Sequence, residues 1–125
     1  MKTAEAKRFK DNPSDLCQFY GTEMWHRDPL MVNMVFTDGV KHVADTRQAY
    51  WLIMFIYARY VHMKVFKNEP FITIEMTTED DTAEVVFTDG NNNILHVEEI
   101  DYTDYPDEGV CMWLIDGVLM LPSEY

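Results

Sequence analysis

From Asn68 to Tyr125 the sequence contains no lysine and no arginine. All ten of its Lys and Arg lie between Lys2 and Lys67, beside seven acids, whereas the later stretch carries fifteen Asp and Glu. The formal net charge is −12. A surface without cations repels phosphates, which excludes direct DNA or RNA binding by the second half. The basic arm Lys2–Lys10 is too short and too mixed with acid to reverse that. Charge so divided between halves points instead to a partner of opposite sign.

Other scarcities narrow the function further. The most apolar run, Ala49 to Ala58, is about half the ~20 residues that cross a bilayer, so no membrane span is expected. The charged start, Met1 to Lys10, is followed by no apolar stretch and does not read as a signal peptide, which suggests a cytoplasmic protein. Cys17 and Cys111 lack zinc or redox spacing and read as two buried thiols, with a disulfide between them left open. The serines are only Ser14 and Ser123, neither in a nucleophile context, and no glycine-rich phosphate loop occurs. His26, His42, His62 and His96 are scattered without metal-ligand spacing. Asp89-Gly90-Asn91-Asn92-Asn93 begins like a calcium loop, but Ile94 and Ile100 stand where glycine and a bidentate glutamate belong. The expectation is a protein with no catalytic residue, no metal and no cofactor.

What is present suffices for a core. Hydrophobic residues make up 47% of the 125 and aromatic residues 14%. Residues 13–125 are expected to form one α+β domain behind a charged arm, 1–12. Asn12-Pro13-Ser14-Asp15 offers helix-start chemistry for a short N-terminal helix ending at Gly21. Gly21 to Pro29 reads as a loop, with Trp25 tucked into the core. Met31–Phe36 and Val40–Val43 flank Thr37-Asp38-Gly39, which predicts a hairpin. Asp45 or Thr46 then caps a main helix from Arg47 to about Lys64, apolar on most faces and therefore buried.

The second half reads as sheet. Phe71–Thr77 alternates, Glu84–Thr88 and Ile94–Asp101 flank a turn at 89–93, and Val110–Ile115 is apolar on both faces. Asp116-Gly117 turns the chain into Val118–Leu121, a short last strand or an extended tail. The predicted architecture is a mostly antiparallel sheet of four to six strands with one main buried helix across it.

The acids of that half fall into two clusters. Glu79, Asp80 and Asp81 form a charged turn, followed by Glu84. Glu98, Glu99, Asp101, Asp104, Asp107 and Glu108 run from a strand into a loop, interleaved with Tyr102 and Tyr105. Residues two apart on a strand are separated by roughly 6.6 Å, so Glu99 and Asp101 would mimic neighbouring phosphates. The tyrosines offer faces on which arginine stacks. These twelve residues are the candidate partner-binding set.

Gln18–Glu23, Phe36-Thr37-Asp38-Gly39-Val40, Ala49–Ile53 and the ending Asp116–Tyr125 together resemble an uncharacterised domain family of bacterial mobile elements and phages. Met54–Met63 is more aromatic than that pattern. The resemblance implies a bacterial host cell and a non-enzymatic role against host defence, including anti-CRISPR action. The implied partner is a basic nucleic-acid-binding protein such as a CRISPR effector. Two other classes stay open: a small enzyme or small-molecule binder without a motif, and an accessory protein forming homo-oligomers through its apolar helix.

Overall fold

The computed structural model describes Asn12, residues 25–106 and residues 108–125. The predicted N-terminal helix and, apart from Asn12, the charged arm lie outside them. So does Cys17, and with it the question of a disulfide to Cys111.

The strands are β1 (Trp25–His26), β2 (Val35–Thr37), β3 (Phe71–Glu79), β4 (Thr82–Thr88), β5 (Ile94–Ile100), β6 (Val110–Ile115) and β7 (Val118–Met120). They form one seven-stranded sheet in the order β1-β2-β7-β6-β3-β4-β5. Every neighbouring pair is antiparallel except β2 and β7, which run parallel with Val35 beside Val118. The helices are α1 (Asp38–Thr46) and α2 (Tyr50–His62). This corrects the expected four to six mostly antiparallel strands and single main helix: among the described residues the sheet is mixed and seven-stranded, with two α-helices.

The correction has a local cause. Thr37-Asp38-Gly39 does not turn a hairpin; it starts a helix. Thr37 is the N-cap, its hydroxyl accepting from the Val40 amide at 3.4 Å. Gly39 is chosen for space rather than for a left-handed backbone, because a Cβ there would lie 2.5 Å from a carboxylate oxygen of Glu124. Asp45 and Thr46 belong to α1 rather than capping the next helix, and Gln48, at φ 51°, breaks the two apart. Asp45 binds Lys41 at 2.8 Å and the Tyr50 hydroxyl at 2.7 Å instead. Trp25 is 61% exposed on β1 and not in the core.

The remaining second-half elements lie where the sequence pattern places them. Ile72, Ile74 and Met76 of β3 share one face with Val85 and Phe87 of β4 and Val110, Met112 and Leu114 of β6, all fully buried. Onto that face pack Leu52, Ile53 and Ile56 of α2, with α1 contributing Val40, Val43 and Ala44. The rest of α2 is half-buried or exposed rather than enclosed. On the far side of β6, the Asn12 side chain accepts from the Cys111 amide at 2.9 Å and donates to its carbonyl at 3.2 Å.

Candidate acidic interface

Asp80 and Asp81 form a two-residue turn between β3 and β4, with φ of 53° and 66°. Both angles are positive, as a tight hairpin matching the twist of its strands requires. The loop after β5 folds back over this turn. The Thr103 amide donates to the Asp81 carbonyl at 2.7 Å, and the Thr78 hydroxyl to the Pro106 carbonyl at 2.6 Å. Gly109 sits against the Met76 carbonyl at φ 67°, where a Cβ would approach that oxygen to 2.3 Å. Two acidic clusters twenty residues apart in the chain are thereby held at one end of the sheet.

Glu79, Asp80, Asp81, Asp101 and Asp104 are all exposed at this corner. Among the described residues no salt bridge reaches Asp80, Asp81, Asp101 or Asp104. Tyr102, which follows Asp101 in the chain and precedes Thr103, is 73% exposed. The arrangement is a concentrated negative field with one flat aromatic surface in it, suited to a cation or guanidinium from outside.

The other members of the candidate set are placed differently. Glu84 is buried, 5% exposed, on the sheet face away from α2 and directly across from Glu99. Tyr105 is 3% exposed and packs in the core, so it offers no stacking surface. Glu98 points to the α2 face, where Arg59 donates to both its oxygens at 2.8 and 2.6 Å and His96 lies 3.0 Å away. The paired guanidinium, against the smaller opposing effect of burial, lowers the Glu98 carboxyl to about 2. Arg59 is itself stacked 4.3 Å over the Phe55 ring. Glu108 is taken up by Arg47 at the end of α1. Asp107 lies outside the described residues. Glu99 is exposed, but β5 ends at Ile100, so strand geometry does not fix its spacing to Asp101.

Arg47 and Arg59 thus withdraw two carboxylates that the sequence presents as free. Their positions, just after α1 and within α2, carry no local signal of this, because the partners lie 61 and 39 residues away. The same holds for His26, whose Nε2 lies 2.8 Å from Asp38 at the start of α1. Asp89 is an ordinary turn residue, accepting from the Asn91 and Asn93 amides and the Asn93 side chain. Among the described residues no group of three or more His, Cys, Asp or Glu is arranged to hold a metal ion. No described helix is long and apolar enough to cross a membrane.

Of the stretches that carried the resemblance, Gln18–Glu23 lies outside the described residues, and 36–40, 49–53 and 116–125 are linked through α1 and contain none of the acids of the corner. β2 pairs with β7, and the C-terminal 3-10 turn Pro122–Glu124 closes on the start of α1, whose far end leads into Ala49–Ile53. No curated protein and no solved structure gives a significant match to the chain. A family of unknown function (DUF6876) matches residues 10–125, nearly the whole length, and the chain belongs to that family.

Proposed function

We propose that the protein is a non-enzymatic inhibitor from a phage or mobile element. Its acidic corner occupies the basic nucleic-acid channel of a host defence complex, with a CRISPR effector as the first candidate. The observation that carries this reading is the convergence of Glu79–Asp81 with Asp101 and Asp104 around exposed Tyr102. Clustered like charges oppose one another, and a cationic partner relieves that repulsion while being steered toward it. The interface is smaller than the sequence pattern suggests, since Glu84, Glu98, Tyr105 and Glu108 are engaged within the fold. The apolar length of α2 is used partly against the sheet, which weakens the reading of a helix-mediated homo-oligomer.

The test is competition. Guide-loaded CRISPR effectors, and other host nucleic-acid-handling complexes, are incubated with the protein before labelled target DNA is added. At least one should lose DNA occupancy at low ionic strength and regain it as salt rises, because exposed charges are screened beyond roughly 10 Å at 0.1 M. Unchanged DNA occupancy for every complex would sink the reading.

A further inference from the structure

We infer that β5 is a docking edge for an extended, lysine- or arginine-bearing segment of the partner, which adds to the sheet as an eighth strand. The inference rests on the acidic-interface reading and specifies the form the partner takes.

The register identifies the free backbone groups. Glu79 and Thr82 flank a two-residue turn and so form a hydrogen-bonded pair. Alternation then directs the backbone groups of Glu84 and Val86 toward β3, and those of Ala83, Val85 and Phe87 toward β5. Their partners Ile100, Glu98 and His96 face back, which leaves the amides and carbonyls of Val97 and Glu99 directed outward. Among the described residues no strand lies beyond β5 in the sheet order. Both residues are exposed, Val97 at 36%. The irregularity opposite Phe87 and Thr88 ends the regular row at its Ile94 end.

Proteins usually protect such an edge with lysine, proline or a very short strand. The opposite edge of this sheet, β1, is two residues long. β5 has seven residues, no proline and no lysine; its outward row carries Glu99 and runs on to Asp101 and Asp104. Arg59 is held on the α2 face by Glu98, and the 3-10 turn Lys64–Phe66 lies toward the other end, with Phe66 against His96. Acid on the edge discourages a second copy of this highly negative chain and favours a basic strand. Main-chain hydrogen bonds supply affinity in strand addition, and side chains supply the choice of partner.

The probe is a ten-residue peptide alternating Lys and Val, in three further forms: N-methylated at alternate residues, N-methylated throughout, and with Glu for Lys. Amide shifts and hydrogen exchange are followed on the full chain. The unmodified and alternately methylated peptides should bind and slow exchange at Val97 and Glu99, with little change at already bonded Glu98. Full methylation should weaken binding about tenfold, the loss of one to two net hydrogen bonds. The Glu peptide should not bind. Equal binding of the fully methylated peptide, with shifts confined to Asp80, Asp81 and Tyr102, would overturn strand addition while leaving the acidic corner intact. Absence of binding by the Lys peptide would also overturn it, and the competition assay judges the corner separately. Concentration-dependent protection of Val97 and Glu99 without peptide would make the edge a self-association surface and overturn the proposal too.

Discussion

The Thr37 hydroxyl donates to Oε1 of Glu124 at 2.5 Å, joining the start of α1 to the last turn of the chain. The Leu121 amide donates to the same oxygen at 2.9 Å and the Gly39 amide to Oε2 at 3.0 Å. A carboxylate in this position satisfies buried donors and complements the positive end of the helix dipole.

Glu124→Ala should therefore destabilise the protein by about 2–4 kcal/mol, since it strands buried donors of a charged acceptor. Urea denaturation measures it. Gly39→Ala should also destabilise, by driving a methyl into that carboxylate and Leu121. The two effects should fall short of additive by ~1 kcal/mol or more, as expected for groups in contact. Strict additivity would show that Glu124 is not what restricts position 39.

The ion pair of Arg59 and Glu98 gives a pH signature. The carboxyl is lowered from 4.5 to about 2 in the folded protein. Its contribution is present above the unfolded value and is lost as pH falls from about 4.5 through about 2. Glu98→Gln should flatten the loss of stability over that window, measured by thermal unfolding at a series of pH values. An unchanged pH profile would mean that the bridge contributes nothing there.

Helix α2 discriminates between enclosed and half-buried positions. Ile56→Ala should cost about 3–4 kcal/mol, as for a fully buried residue, and Phe55→Ala less, despite its larger ring. The reverse order would place the core on the other face of the helix.

The second half of the fold was legible because alternation, Asp-Gly turns and an apolar central strand are local signals, and β5 and β6 fall where they point. The first half was not. Phe-Thr-Asp-Gly occurs at 36–39 and 87–90 and does different work in each place. Gly90, at φ 86°, follows a strand into a turn, whereas Gly39 sits inside a helix beside Glu124. Only the distant C-terminus distinguishes them. β1 and β2, of two and three residues, are too short to leave a period. At the candidate site, the acids were visible from the sequence, but their sorting into exposed and internally paired groups depends on Arg47 and Arg59.

In the proposed interface Asp101 and Asp104 meet a cationic partner locally rather than merely adding to the net charge. The direct measurement is the affinity of the effector identified by competition for two variants: Asp101→Lys with Asp104→Lys, and Glu5→Lys with Asp11→Lys, which change the charge equally. Neither Asp101 nor Asp104 forms an ion pair among the described residues, so the fold should survive the first pair of changes, which circular dichroism checks. At low salt the first variant should lose binding about a hundredfold, about 2.7 kcal/mol, while the second stays within a few-fold of the parent. Equal losses in the two variants, or none in either, would contradict it.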